Sequence, residues 1–215
     1  EYPDVTGVFW PELLPLVGFD QRNRHHCYDI WEHTLRSLEG VPPDPILRLA
    51  MLLHDIGKQN SFTVDEQGTG HFYGHAAHSR GMAEAMLRRL RFDTATRQTV
   101  VLLVEWHDRY IPPTDEGVRR GLMTLGEENL RRLIAVKRAD NLAQSPEFRG
   151  IQRELNQAEE ILNGLLERNE CWSLRQLAVN GRDLTAMGLS GPEVGRTLRA
   201  LLEQVLRGEL PNDRE

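Results

Sequence analysis

The sequence predicts an all-α fold on three observations. Apolar residues recur at helical spacing through most of the chain, strand-like alternation is scarce, and no internal repeat or low-complexity tract interrupts the pattern. Pro3, Gly7, Pro11, Pro15 and Gly18 make residues 1–24 a loop with a short helix. Ile30, Leu35 and Leu38 then predict a helix over about 26–38. Val41-Pro-Pro-Asp-Pro45 ends it and starts the next, whose Ile46, Leu49, Ala50, Met51, Leu52 and Leu53 leave few polar sides, as in a buried central helix. That helix runs directly into His54-Asp55-Ile56-Gly57-Lys58. Glycines between Asn60 and Gly74 predict a loop or small hairpin beside this site. Helices follow at about 76–91, 95–107, 115–124 and 127–143, with Pro112-Pro113 punctuating the series. Residues 147–168 read as a long, charge-laced and largely solvated helix. Ser190-Gly-Pro-Glu193 reads as a capping box with Pro192 in the first turn, opening a last helix that turns Val194, Leu198, Leu201, Leu202 and Val205 inward. The organisation expected is an N-terminal loop (1–24), a main domain (25–145) and a smaller C-terminal helical extension (146–215).

A chain of 215 residues buries enough surface, roughly 70% of what the unfolded chain exposes, to hold a core without a staple. Its two cysteines, Cys27 and Cys171, exclude a disulfide framework, and no Cys-x-x-Cys pair is present to hold zinc. With 26 basic against 32 acidic residues, the net charge of −6 argues against a surface that grips nucleic acid throughout. Local basic clusters remain at Arg88-Arg89-Arg91, Arg119-Arg120 and Arg131-Arg132, read either as solvated faces or as RNA phosphate contacts. No run approaches the roughly 18 apolar residues of a membrane span, and no signal peptide is visible. Composition therefore allows a soluble, cytoplasmic protein with no membrane partner. The first residue is Glu1 rather than Met, which suits a processed product or a piece of a longer chain.

All eight histidines lie between residues 25 and 107: His25, His26, His33, His54, His71, His75, His78 and His107. The pair His54-Asp55 follows an apolar helix, where an ionised carboxylate is costly unless it is paired or bound to metal. A mixed imidazole and carboxylate set suits manganese, iron, cobalt, nickel or zinc better than calcium or magnesium.

His33, then His54-Asp55, then Asp140 resemble the ordered metal-binding signature of the HD superfamily of metal-dependent phosphohydrolases. The local context matches too: Trp31-Glu-His-Thr-Leu35, Leu53-His-Asp-Ile-Gly-Lys58 and Lys137-Arg-Ala-Asp-Asn141. This resemblance implies an HD-domain helical bundle in which His33, His54, Asp55 and Asp140 ligate a divalent transition metal: Mn, Ni, Co, Fe or Zn, with Mg a further candidate. Some HD proteins similar to this one add two histidines before the final aspartate. His75, after Gly74, and His107, in Glu105-Trp-His-Asp108, stand in that order, so one ion or two are expected, with Asp55 as the bridge.

A closer resemblance covers nearly the whole chain. It is similar to the C-terminal, HD-containing portion of bacterial tRNA nucleotidyltransferases, the CCA-adding enzyme and poly(A) polymerase family. The segments that carry it are Phe19-Asp-Gln21, His25-His26, Gly74-His75, Gly181-Arg-Asp-Leu184, Gly191-Pro-Glu-Val-Gly195 and Leu206-Arg-Gly-Glu-Leu-Pro-Asn212. An Asp-x-Asp metal pair and a Gly-Ser nucleotide-binding turn are both missing, so nucleotide addition is not assigned to these residues. The resemblance implies phosphomonoesterase and 2′,3′-cyclic phosphodiesterase activity on nucleotides or RNA ends, with tRNA as a partner. Asp55 and Lys58 are then the candidate catalytic residues, and Lys58, Arg80 and His78 the candidate substrate contacts. His78 lies three residues after His75, which predicts a shared helix face. Trp106, Tyr110 and Trp172 are candidates to stack a base or to fill the core. The turn at Gly191 to Gly195 offers backbone N–H groups to RNA phosphate. The competing functional class is a non-catalytic tRNA-binding or dimerisation module that keeps its histidines and aspartates as relics.

Overall fold

The computed structural model of the chain describes residues 7–168 and 170–214, so the part of the expected N-terminal loop that holds Pro3 lies outside the described residues. The fold is all-α, with one two-stranded hairpin among the described residues. The main helices are α1 (Ile30–Glu39), α2 (Pro45–Leu53), the single turn α3 (Lys58–Ser61), α4 (His75–Arg89) and α5 (Thr94–Trp106). They continue with α6 (Asp115–Leu142), α7 (Ile151–Glu167), α8 (Gly181–Ala186) and α9 (Pro192–Leu206). Strands β1 (Thr63–Val64) and β2 (Gly70–His71) pair antiparallel with Thr63 opposite His71, the small hairpin expected between Asn60 and Gly74. The described residues form two compact units, 7–110 with 131–155, and 111–130 with 156–168 and 170–214. No helix among the described residues is long and apolar enough to cross a membrane.

In the first unit, Pro11–Leu16 forms a 3-10 helix that buries Leu13 and Leu16. Helix α1 starts at Ile30, four residues later than expected, because Asp29 is its cap: the carboxylate accepts from Glu32 N at 2.7 Å and Gly18 N at 2.9 Å. Its buried face also differs from the apolar reading. Ile30, His33, Thr34 and Ser37 are buried while Leu35 and Leu38 are only half-buried. The polar side turns inward because the polar cluster lies inside the bundle. Helix α2 buries Leu47, Ala50, Met51 and Leu53, as its composition predicts. Burying such a side chain contributes roughly 1.5–3 kcal/mol.

Asp44 starts α2 with a carboxylate that accepts from Ile46 N at 2.8 Å and Leu47 N at 2.9 Å, ahead of Pro45 at the first turn. Asp44→Ala is therefore expected to cost about 1 kcal/mol, a fall in Tm of about 2–4 °C for a chain of this size. Thermal unfolding checks this, and an unchanged Tm would mean the cap contributes nothing.

Helix α6 covers both helices predicted at 115–124 and 127–143. Gly126, at φ 75°, is the non-helical residue between them. Helix α7 is not largely solvated: Leu155, Ala158, Leu162 and Leu165 are buried at helical spacing, so the charged residues occupy only its outer face. The expected capping box at Ser190-Gly-Pro-Glu193 does not form. Gly191, at φ 56° and ψ −135°, is the cap of α9 and makes no side-chain cap bond. The capping box stands instead at α8, where the Asp183 side chain accepts from Asn180 N at 2.8 Å and the Asn180 side chain accepts from Asp183 N. On α9 only Leu202 is fully buried, while Val194, Leu198, Leu201 and Val205 are half-buried.

Candidate metal centre

Six polar residues from five helical segments converge within the first unit. His33 comes from the middle of α1 and Asp140 from the last turns of α6. His54 and Asp55 leave the end of α2, His75 opens α4, and His107 follows the end of α5. The turn after Asp55 needs Gly57, because a Cβ there would sit 2.4 Å from Ser79 N and 2.6 Å from His78 Cβ on α4. Gly57 N donates to Ser79 Oγ at 2.9 Å, which seals the approach.

Main-chain carbonyls set the imidazoles. His54 Nδ1 lies 2.6 Å from Met51 O, His75 Nδ1 3.0 Å from Phe72 O, and His107 Nδ1 2.7 Å from Val104 O, each reaching back three residues. His33 Nδ1 lies 3.4 Å from Ala143 O. A carbonyl only accepts, so each Nδ1 carries a proton, and every Nε2 is aimed inward, the arrangement of a metal-ligating histidine.

Around these nitrogens the Asp55 carboxylate is divided. Its Oδ2 lies 3.2 Å from His54 Nε2 and 3.6 Å from His33 Nε2, and its Oδ1 lies 3.4 Å from His75 Nε2 and 3.8 Å from His107 Nε2. Asp140 Oδ1 closes the first group, 2.9 Å from His33 Nε2 and 3.7 Å from His54 Nε2. Each of two groups, His33 with His54 and Asp55, and Asp55 with His75 and His107, brings its donor atoms within 4.8 Å of one another. The donors fit a cation. His54 Nε2 is buried and makes no hydrogen bond. His75 Nε2 and His107 Nε2 face each other at 3.0 Å. Two lone pairs at that separation repel unless a proton or a metal ion lies between them. The chain thus holds a buried His/Asp cluster able to bind metal.

Burial opposes charge in this cluster, and the carboxylates overturn it selectively. Burial would lower His54, but the negative charge of the Asp55 carboxylate, with Asp140 beside it, pushes it up to about 10. Burial would raise Asp55 and Asp140. The His54 and Lys58 cations hold the first well below the carboxylate range, and His33 and His54 do so for the second. His107 goes the other way, to about 3, through its burial and the nearby His54 charge.

Of the other expected site residues, Lys58 joins the cluster and Arg80 and His78 do not. Lys58 Nζ is buried, 2.7 Å from Asp55 Oδ2 and 2.7 Å from Gln21 Oε1. Arg80 is exposed and paired with Glu105 at 3.0 Å. His78 is exposed while His75, three residues before it, is buried. His71 pairs with Asp65 at 2.8 Å on the hairpin, and His25 packs on Phe148 with ring centroids 3.9 Å apart and the planes tilted by 46°. His26 sets its ring edge-on to His33 at 5.0 Å, and burial followed by the Lys58 charge lowers it to about 3. Trp106 and Trp172 are half-buried and Tyr110 is exposed. Arginines of two of the basic clusters have acidic partners: Arg89 with Glu12 at 2.8 Å, Arg119 with Glu170, and Arg120 with Glu116 at 2.7 Å.

Gln21 and Lys137 also serve the cluster, though neither has a role legible in the sequence. Lys137 Nζ donates to His107 O at 2.6 Å, bracing the helix end that carries the histidine. Its place three residues before Asp140 was the available signal.

The HD domain family model matches residues 25–145. The chain is 36% identical over 222 residues to the CC-adding tRNA nucleotidyltransferase of Thermus thermophilus, covering 98% of this chain and 48% of that protein. It is 31% identical over 216 residues to the A-adding tRNA nucleotidyltransferase of Deinococcus radiodurans, covering 95% and 49%. A multifunctional CCA protein of Thioalkalivibrio sulfidiphilus is 27% identical over 94% of the chain and 49% of its own length. The chain therefore spans about half the length of these curated relatives.

Proposed function

The chain belongs to the HD domain family, a superfamily of metal-dependent hydrolases, and on that premise we propose that it hydrolyses phosphate esters of nucleotides or RNA ends. The reaction would be that of a phosphomonoesterase and 2′,3′-cyclic phosphodiesterase. The observation that supports it is the Asp55 carboxylate, one oxygen toward His33 and His54 and the other toward His75 and His107.

In this reading His33, His54, Asp55 and Asp140 hold one ion, and Asp55, His75 and His107 a second. A bound ion of Mn, Ni, Co, Fe, Zn or Mg supplies Lewis acidity and makes water a competent nucleophile near neutral pH. Asp55 would accept a hydrogen bond from the attacking water and aim it at phosphorus; as the new P–O bond forms the bond to the ester oxygen breaks, and the proton lost by water neutralises the departing oxygen. The Lys58 ammonium adds positive charge where phosphoryl oxygens would gather. Burial of His54, Asp55, His75 and His107 keeps bulk water from competing. Arg80 and His78, exposed on α4, would meet the ester beyond the phosphoryl group. Residues 25–145 act as the hydrolytic domain and 146–215 as its helical extension. The chain would be the HD-containing portion of a tRNA nucleotidyltransferase, with tRNA as its cytoplasmic partner, a reading supported by the relatives above.

The test is hydrolysis of p-nitrophenyl phosphate and 2′,3′-cyclic AMP with Mn²⁺, Ni²⁺, Co²⁺ and Mg²⁺ in turn. Turnover is expected with at least one transition metal and is lost on chelation. A chain that binds metal yet turns over neither ester would favour the tRNA-binding module over the enzyme.

A further inference from the structure

Gln21 is 1% exposed, and its side chain is committed at both ends. Its Nε2 donates to Tyr28 O at 3.2 Å, and its Oε1 accepts from Lys58 Nζ at 2.7 Å. Its backbone is held as well. Gln21 O accepts from Asn23 Nδ2 at 3.1 Å, and Gly70 N on β2 donates to Arg22 O at 2.7 Å. Only glycine allows that approach, since a Cβ at Gly70 would lie 2.2 Å from Gln21 O. A rigid loop, pressed on by the hairpin, thus offers one amide oxygen to a buried ammonium.

That ammonium decides how Asp55 stands. The terminal torsion of an aspartate is broad, so the carboxylate needs an external hold to keep one oxygen toward each imidazole group. Lys58 Nζ at 2.7 Å from Oδ2 is its closest contact, nearer than any of the four imidazoles. Lysine has a flexible stem, and here two features fix its head: Gln21 Oε1 and the Phe72 ring, whose centroid is 5.3 Å away. We propose that Gln21 is a positioning residue: by drawing Lys58 to itself, it orients the Asp55 carboxylate between the two imidazole groups and leaves its lone pairs free for metal. The proposal rests on the reading of Asp55 as the shared ligand. Released from Gln21, Lys58 would turn its donors wholly onto Asp55 and compete with the incoming ion.

The experiment measures Mn²⁺ binding by calorimetry for the full chain, Gln21→Leu, Lys58→Met and the double variant. Gln21→Leu should weaken Mn²⁺ binding about tenfold, the scale of a hydrogen bond to a charged group. In the Lys58→Met background the same substitution should change nothing further, because its effect passes through the ammonium. A second readout needs no metal. The Lys58 ammonium ¹H–¹⁵N signal, protected when buried and bonded, should shift in Gln21→Leu as its donors turn wholly onto Asp55, and return toward its wild-type position in Gln21→Glu, which keeps the acceptor. Unchanged affinity and signal in Gln21→Leu would overturn the proposal, and so would equal losses in both backgrounds, the mark of a merely structural loop. A wild-type chain that binds no Mn²⁺ would instead overturn the shared-ligand reading, and the proposal with it.

Discussion

Asp55→Asn is expected to remove metal from both imidazole groups at once and to lower ester turnover by at least about a thousandfold, on the order of 4 kcal/mol of transition-state stabilisation. The effect should exceed that of any single histidine, because Asp55 alone faces both groups, with Oδ2 toward His33 and His54 and Oδ1 toward His75 and His107. Asparagine is nearly isosteric, yet whichever way it turns, an NH₂ group points at one imidazole set and repels a cation there. Stability should change too. The Asp55 carboxylate is the main force that holds His54 at about 10 against its burial, and it also neutralises the buried Lys58. Removing one partner of a buried pair costs about 3–5 kcal/mol when the other charge stays behind. Deprotonation of His54 relieves part of that, so the loss should fall at the lower end. Metal content by elemental analysis, turnover and Tm measure the three effects. An asparagine variant that keeps its full metal complement would remove Asp55 from the site.

Most of the fold was legible because its signals are local. The apolar run before His54, the glycines between Asn60 and Gly74 and the break between residues 124 and 127 each mark an element that the structure contains. The misreadings have local causes as well. Apolar spacing starts α1 early because it says nothing of Asp29, whose carboxylate caps the helix and also accepts from Gly18 N. The inward face of that helix was misjudged because a bundle built around a polar cluster turns His33, Thr34 and Ser37 inward, against the usual rule. Helix α7 looked solvated because its charges outnumber the four buried residues that set its face. At α9 the right residue types for a capping box are present, but Gly191 takes a backbone conformation that excludes it.

The site was legible in a different way. Resemblance to the HD signature singles out His33, His54, Asp55, His75, His107 and Asp140, and the structure gathers all six. Order could not reveal the backing of each ring. The carbonyls of Met51, Phe72 and Val104 that aim each Nε2 inward come from helix-end geometry, not from residue type. Gln21 escaped for the same reason: its partner Lys58 is 37 residues away, and an amide in a loop carries no periodic signal.

The double variant His75→Ala/His107→Ala is expected to lower metal stoichiometry from two ions to one. The group of His33, His54, Asp55 and Asp140 is untouched by it and should keep its ion. The two substitutions should behave as one unit, since the rings meet at 3.0 Å through their Nε2 atoms and share Asp55 Oδ1. Stability gives an independent reading. Without metal, the two Nε2 atoms need a shared proton to meet at 3.0 Å in a buried site, so removing the crowded pair offsets part of the cavity left by two buried rings. With metal, the loaded protein loses the stabilisation that its second ion supplied by mass action. The rise in Tm on adding Mn²⁺ should therefore shrink markedly in the variant, while its metal-free Tm falls much less. Unchanged stoichiometry with lost turnover would assign both histidines to substrate or to proton transfer. Unchanged stoichiometry and turnover together would leave their close approach without a catalytic purpose.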